Sequence, residues 1–196
     1  MQDRRLCVLN AGSSSLKFAV YGAGDDALPR LQSGEIERIG SEGRMQVTAS
    51  DGKVLHDRTV TTKDHAAALA LLAALPDGPL DRSGLIGFGH RVVHGGPDMA
   101  APVLVDAAAL AKIEALEPLA PLHNPPAVAV LKALSALFPG LPHIACFDTG
   151  FHRGHPPVAD RFAIPDALYR EGVRRYGFHG LSYEYIAGAL AERVPD

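Results

Sequence analysis

Residues 89–96 read Gly-His-Arg-Val-Val-His-Gly-Gly and place an arginine among apolar neighbours just before a glycine turn. In an extended strand Arg91 and Val93 face the same way, because side chains alternate between the two faces. A guanidinium binds both oxygens of a carboxylate, and a valine beside it meets the alkyl end. The spacing therefore indicates a pocket for a small carboxylate. The alternative is a structural arginine paired with an acidic side chain near the edge of a sheet.

A polar turn between two apolar runs near the N-terminus has the composition of a phosphate-binding loop. Asn10 ends the first run, Gly12 and three serines form the turn, and Lys17 lies in the second run. Glycine lets the backbone approach a ligand, hydroxyls and amides supply donors, and the lysine adds positive charge. The segment predicts a site for nucleotide phosphates or for a metal, with an ordinary Ser/Gly hairpin as the alternative.

His123 and Asn124 stand at the predicted start of a helix, with Pro125 at its first position. Free backbone amides and the positive end of the helix dipole favour anions at such a place. Capping of the helix alone would explain Asn124. His123 is expected to be functional only if Leu122 faces the same pocket as Val93.

Two further candidates lie at the ends of predicted elements in the second half of the chain. Asp148 follows the apolar residues 144–147, and ligands collect at the carboxyl ends of strands in open α/β sheets. An aspartate there can hold a hydrated Mg²⁺ or orient a nucleophile, and a turn-forming Asp-Thr-Gly is the alternative. His179 lies between glycines beside Phe178, where exposed backbone suits contact with a transition state; a solvated loop histidine is the alternative.

The rest of the pattern predicts the elements that position these residues. Apolar and alternating runs predict an opening block of antiparallel strands at residues 6–10, 16–21, 31–39, 45–50 and 54–61. Helices are predicted at residues 66–75, 107–117, 127–138 and 182–193, the first two capped by Asp64 and Asp106. Apolar runs at 85–93 and 143–147 lie beside the helical segments, so this later region is predicted to be α/β with parallel pairing.

Size and composition indicate a globular protein with small partners. The 196 residues, 47% of them hydrophobic, suffice for one well-buried domain or for one domain plus part of another. A net charge of −3 with scattered basic residues predicts no nucleic-acid face, and no segment is long and apolar enough to span a membrane. Cys7 and Cys146 lie in strand-like runs, which favours two buried, reduced thiols and a cytoplasmic location.

Five motifs, in order along most of the chain, closely resemble those of the acetate kinase family. They occupy residues 9–18, 89–96, 121–126, 147–152 and 174–180. The resemblance implies an α/β fold with a ribonuclease H-like core, in the group of actin-like and sugar-kinase-like ATPases. It also implies phosphorylation of acetate to acetyl phosphate, with ATP and Mg²⁺ required.

The resemblance implies a role for each matching residue. Four residues would be catalytic: Arg91, His123, Asp148 and His179. The substrate would lie against Arg91, Val93, Leu122 and Phe178, the last three around the methyl group. Nucleotide phosphates would lie near Asn10, Ser13, Ser15 and Lys17, and Asn10 would help hold the metal. Such a reaction requires alignment of the carboxylate with the γ-phosphorus and neutralisation of charge, without a covalent enzyme intermediate.

Two departures from the family pattern limit these expectations. The family usually continues Gly-Thr-Ser-His after Phe-His, whereas residues 180–183 are Gly-Leu-Ser-Tyr, so a hydroxyl and an imidazole are lost near the site. Family members are also much longer. The part without a counterpart here carries the adenosine-binding segments, a second arginine, a glutamate that shares the metal, and the main interface of the family's homodimer.

The chain is therefore expected to contain an N-terminal ribonuclease H-like domain at residues 1–150, on the acyl and phosphate side. Residues 151–196 would begin an incomplete second, nucleotide-binding domain. We expect part of an acetate kinase that binds acetate or acetyl phosphate and ATP or ADP, with little or no turnover alone. A noncatalytic fragment that binds acyl phosphate is one alternative. A propionate or butyrate kinase is another, since one methylene changes binding by only about 1–3 kcal/mol.

Overall fold

One mixed β-sheet forms the centre of the protein, as seen in a computed structural model that describes residues 4–24 and 27–194. Its strands are β1 Arg5–Ala11, β2 Ser15–Gly22, β3 Arg30–Glu37, β4 Glu42–Ala49, β5 Val54–Thr61, β6 Leu85–Val92, β7 Val103–Leu104 and β8 His143–Phe147. The order across the sheet is β5-β4-β3-β2-β1-β6-β8-β7. β1 to β5 pair antiparallel, whereas β6 runs parallel to both β1 and β8. The predicted change from an antiparallel block to parallel pairing is confirmed.

Six α-helices accompany this sheet in the described part of the chain. They are α1 His65–Ala73, α2 Ala107–Ala115, α3 Asn124–Leu137, α4 Pro157–Asp160, α5 Asp166–Arg170 and α6 Gly180–Arg193. Asp64 and Asp106 cap α1 and α2 as predicted, because each side chain accepts a hydrogen bond from the amide three residues later. The same prediction for Asn124 is wrong. His123 precedes α3, and the Asn124 side chain bonds to another segment instead of to its own helix.

The core lies on the face of the sheet that α1 and α3 cover. Alternation along β1 and β2 directs Leu9, Leu16 and Phe18 to this face, where they pack with Leu72 of α1 and Leu134 of α3. Cys7 is fully buried in this core, and burial raises the pKa of its thiol to about 12. Both cysteines are free thiols, but Cys146 faces the opposite side of the sheet and is only half-buried, so the prediction of two buried thiols is wrong for Cys146.

A row of directly paired polar residues crosses the other, more open face of the sheet. From the β5 edge inward, strand register aligns Asp57, Gln46, Glu35, Lys17, Asn10 and Arg91. All six face the same side, because directly paired residues of neighbouring strands do. The row therefore runs from the edge of the antiparallel block to Arg91, the arginine for which the sequence predicts a carboxylate site.

The segment after β8 is built around a buried carboxylate. Asp160 accepts hydrogen bonds from Arg153, His155 and Tyr169, and Arg174 lies within ion-pair distance of its carboxylate. The predicted domain division at residue 150 stays a prediction, and residues 1–3 and 195–196 at its outer limits lie outside the described residues. Across the residues that the structure describes, no helix has the length and apolar character needed to span a membrane.

Candidate functional site

Arg91 lies near the end of β6 between two side chains from neighbouring strands. Its Nε donates to both carboxylate oxygens of Asp148 at 3.1 Å, and its Nη2 donates to Oδ2 at 2.5 Å. Its Nη1 donates to Oδ1 of Asn10 at 3.0 Å. The partners are adjacent because Asn10 is paired with Arg91 in register and Asp148 follows β8. Arg91 thus forms the ion pair that the sequence left as an alternative to a ligand site.

The ion pair leaves hydrogen-bonding capacity on the guanidinium. An arginine side chain has five N–H donors, and the bonds described above engage one each on Nε, Nη1 and Nη2. One N–H on each terminal nitrogen remains for a ligand. The Asp148 side chain is 2% exposed whereas the Arg91 side chain is 31% exposed, so a buried carboxylate holds a guanidinium that reaches the surface.

A cavity of about 410 Å³ opens beside Arg91 and brings together the predicted catalytic and carboxylate-binding residues. Its lining includes Arg91, Val93, Leu122, His123, Asp148, Phe178 and His179. The condition set for His123 is met, because Leu122 and Val93 line the same cavity. A guanidinium, two imidazoles and a carboxylate therefore share one cleft with six apolar side chains.

His179 reaches this cleft through an unusual backbone conformation at the start of α6. Its φ of 57° lies in the left-handed region, which non-glycine residues seldom adopt. The next residue, Gly180, donates its N–H to the Asp148 carbonyl oxygen at 2.9 Å. A Cβ on Gly180 would lie 2.1 Å from that oxygen, so only glycine fits there. The end of β8 thereby fixes the start of α6 and the position of His179.

The predicted phosphate-binding residues lie apart from this cavity. The Gly12 N–H donates to the Ser15 carbonyl oxygen at 2.9 Å, which closes a tight turn, and Ser13 at its tip is exposed. Lys17 is exposed and its Nζ lies 3.5 Å from a Glu35 carboxylate oxygen. Lys17 lines a second cavity of about 450 Å³ together with Asn10 and Arg91. Arg91 lines both cavities and is the residue that connects them.

The described residues offer oxygen donors for a metal but not a ready cluster. Within residues 4–24 and 27–194, no three His, Cys, Asp or Glu side chains are grouped so that they could hold a metal ion. Asn10 and Asp148 each have side-chain oxygens here. Oδ1 of Asn10 and Oδ2 of Asp148 both accept hydrogen bonds from Arg91. Such oxygens, supplemented by phosphates and water, suit Mg²⁺. The metal role of Asn10 stays a prediction.

Sequence reasoning missed a buried polar layer behind the cavity. His94, Asn124 and Thr149 are almost completely buried and bond to the backbone around the cavity walls. His94 and Thr149 stand inside the selected motifs, but their types did not distinguish them from turn residues. Asn124 was assigned to helix capping. Their spatial relation depends on the packing of α3 against β6, which local sequence patterns do not encode.

The chain is similar to a known protein family along almost its whole length. Residues 5–195 match the model of the Acetokinase family. An acetate kinase from Rhizobium meliloti is 48% identical over 192 residues, which cover 95% of this chain and 48% of that protein. The chain superposes on the crystal structure of Porphyromonas gingivalis acetate kinase with a TM-score of 0.85, at 31% identity, covering 96% of this chain and 48% of that one.

A propionate kinase is equally similar in structure. The chain superposes on the crystal structure of a propionate kinase from Francisella tularensis subsp. tularensis SCHU S4 with a TM-score of 0.86, at 31% identity. That match covers 98% of this chain and 50% of the other. The chain thus spans about half the length of the relatives that it matches.

Proposed function

Because this chain belongs to the acetokinase family, we propose that it supplies the carboxylate-binding part of a kinase that phosphorylates acetate to acetyl phosphate with ATP. The observation that carries the proposal is the convergence of Arg91, His123 and His179 on a cavity with an apolar wall. A short carboxylate matches that cavity, because its two oxygens suit the free N–H groups of Arg91 and its alkyl end suits Val93, Leu122 and Phe178.

The proposed reaction needs positioning more than proton transfer. A carboxylate oxygen attacks the γ-phosphorus, the new O–P bond forms as the bond to the β-phosphate oxygen breaks, and ADP leaves. Acetate is already an anion at neutral pH, so no general base is required. Arg91 orients the carboxylate, while His123 and His179 contact the oxygens of the phosphoryl group in transfer and offset their charge.

Nucleotide and metal would occupy the adjoining side of the site. Asn10, Ser13, Ser15 and Lys17 would lie near the phosphates, and Asn10 with Asp148 would hold Mg²⁺ through side-chain oxygens. Bound Mg²⁺ would neutralise phosphate charge. We further propose a cytoplasmic protein, which the two free thiols support.

Two related functions are supported by particular observations. The equal likeness to a propionate kinase supports propionate, and by extension butyrate, as the acceptor. The half-length match supports a noncatalytic fragment that binds acyl phosphate without transferring it.

Titration calorimetry with acetyl phosphate and with MgATP, combined with a turnover assay, tests the proposal. We expect the chain to bind acetyl phosphate and the Arg91→Ala variant to lose that binding. Arg44→Ala is the matched control, because Arg44 makes a comparable two-nitrogen contact with Asp57 on β4 and β5. Absence of binding by the wild-type chain would contradict the proposed site.

Turnover is measured with ATP, acetate and hydroxylamine, which traps acetyl phosphate as acetyl hydroxamate. We expect little or no product from this chain alone, because it spans about half of its relatives. Product formation at ordinary kinase rates, about 1–100 per second, would show that the residues present are sufficient for the reaction.

A further inference from the structure

The side-chain amide of Asn124 makes two hydrogen bonds to the backbone of His94, one as acceptor and one as donor, as a neighbouring β-strand would. Oδ1 of Asn124 accepts the backbone N–H of His94 at 3.1 Å, and Nδ2 of Asn124 donates to the His94 carbonyl oxygen at 3.1 Å. These partners fix the orientation of the amide, because a backbone N–H only donates and a carbonyl only accepts. The Asn124 side chain is completely buried, so neither bond competes with water. We call this pair of bonds the His94–Asn124 brace.

The brace joins two segments of the chain that both contribute to the cavity lining. His94 immediately follows Val93, and Asn124 immediately follows Leu122 and His123. The distance between these two short segments therefore depends on the length of one asparagine side chain. No atom of the brace lines the cavity, so its effect on a ligand must pass through the residues that do.

His94 and the neighbouring Gly95 link the brace to two more parts of the cavity lining. Nδ1 of His94 accepts the Gly96 N–H at 2.9 Å, and the His94 ring meets the rings of Tyr176 and Phe178 edge-on, with centroids 4.4 Å and 5.8 Å away. The neighbouring Gly95 N–H donates to Oγ1 of Thr149 at 2.9 Å, beside Asp148. His94 and Gly95 therefore link four parts of the cavity lining, at Val93, Leu122 with His123, Phe178 and Asp148.

We infer that Asn124 is a positioning residue that sets the width of the apolar end of the cavity and thereby the chain length of the carboxylate that fits best. This inference rests on the proposed function, because it requires a carboxylate in this cavity. A small change in the width of the cavity matters for binding, since a hydrophobic pocket distinguishes substrates that differ by one methylene by about 10–200-fold. Leu122 and Phe178 could not keep that spacing by their own packing, because they are 70% and 41% exposed at the protein surface.

Lengthening the brace by one methylene is the direct test. Asn124→Gln keeps the donor and the acceptor but pushes the segments of Leu122 and Val93 apart, and Asn124→Ala removes both bonds. The measurement is the ratio of the dissociation constants of butyrate and acetate, obtained by calorimetric or NMR titration. We expect this ratio to fall at least about fivefold in both variants, because a wider cavity favours the longer chain. If Asn124→Ala does not fold, Asn124→Gln decides.

Asp106→Ala is the control for loss of stability. It removes the bond that caps α2, from the Ala109 N–H to the Asp106 side chain, and Asp106 does not line the cavity. We expect its carboxylate ratio to equal that of the wild-type chain.

The outcomes separate this inference from the proposed function. Equal weakening of butyrate and acetate in both Asn124 variants would give an unchanged ratio and overturn the positioning role, while the proposed site would stand. If the wild-type chain binds neither carboxylate, the proposed function fails and this inference falls with it.

Discussion

His90 and Arg91 are consecutive residues of β6 with opposite surroundings. Arg91 reaches the open face, whereas His90 is 3% exposed in the core, with its Nε2 3.0 Å from Nδ1 of His143. Phe88 stacks on the His143 ring. Burial, and to a lesser extent the neighbouring His143, lowers the pKa of His90 to about 3, and burial also lowers the pKa of His143. Both imidazoles are therefore neutral in the folded protein at neutral pH.

Acidification should destabilise the protein between about pH 6.5 and pH 3 because of His90. In this window the unfolded chain binds a proton on His90 and the folded chain does not, so stability falls as pH falls. The expected slope reaches about 1.4 kcal/mol per pH unit for one such histidine. Urea unfolding at a series of pH values measures the slope. His90→Gln should reduce it, while His56→Gln on β5 should not; equal slopes in all three proteins would contradict the assignment.

Arg91 also shows what residue types predict and what they leave open. Its motif predicted either a carboxylate site or a structural ion pair, and the structure contains an ion pair beside a cavity of suitable lining. The identity of the acidic partner could not be read locally, because Asp148 is 57 residues away and reaches Arg91 only through the pairing of β6 with β8. The capping prediction for Asn124 was wrong for a related reason. Its position suited a helix cap, but in the folded chain its side chain bonds to the His94 backbone.

At the scale of elements, the junction between β8 and α6 controls the geometry of the site. The Asp148 carboxylate holds Arg91, and the Asp148 carbonyl oxygen holds the first N–H of α6, so one residue positions two lining groups. His179 stands between these contacts and the helix. A displacement of α6 would therefore move His179 relative to Arg91.

Gly180→Ala should weaken acetyl phosphate binding and lower the free energy of unfolding. The added Cβ would lie 2.1 Å from the Asp148 carbonyl oxygen, so α6 must shift, at a cost of about 1–3 kcal/mol for such overpacking. Gly188→Ala in the same helix is the matched control, because no atom outside its own helix backbone lies within 4 Å of its added Cβ. It should stabilise the chain by about 0.5–1 kcal/mol. Calorimetry and urea unfolding measure both effects, and equal behaviour of the two variants would contradict the role of the junction.

Elements with a clear period were predictable, and short ones were not. The five antiparallel strands, the parallel pair and the long helices follow from alternation, apolar spacing and caps, to within a few residues at their ends. β7 has only two residues, and α4 and α5 have four and five, so none is long enough to repeat its period of 2 or 3.6 residues. The likeness to acetate and propionate kinases confirms the expected α/β fold of the actin-like ATPase group.

At the scale of the whole molecule, apolar side chains are concentrated on the exposed surface of α6. Its large exposed residues are Tyr183, Tyr185, Ile186 and Leu190. Three of them follow helical spacing, since Tyr183, Ile186 and Leu190 are three and four residues apart. Contiguous apolar surface of this kind favours association. The chain also spans only about half of its relatives, whose remaining length has no counterpart here.

We expect the chain to self-associate through this helix. Sedimentation velocity over a range of concentrations should show a species larger than 20.7 kDa. Ile186→Glu combined with Leu190→Glu should shift the chain toward the monomer, because charge opposes burial of the helix face. Val54→Glu, at an exposed apolar position on β5, is the control. A strictly monomeric wild-type chain, or a double variant that associates equally well, would contradict this expectation.

The polar row that ends at Arg91 makes the length of each strand matter more than many of its side chains. Loss of a single residue inside β2 would turn every side chain on one side of the deletion to the opposite face of the sheet. Lys17 would then point into the apolar core, or Phe18 into water. An equal deletion in the Ser50–Lys53 turn leaves such alternation untouched. During divergence, insertions and deletions should therefore accumulate in the hairpin turns far more readily than inside the strands that they connect.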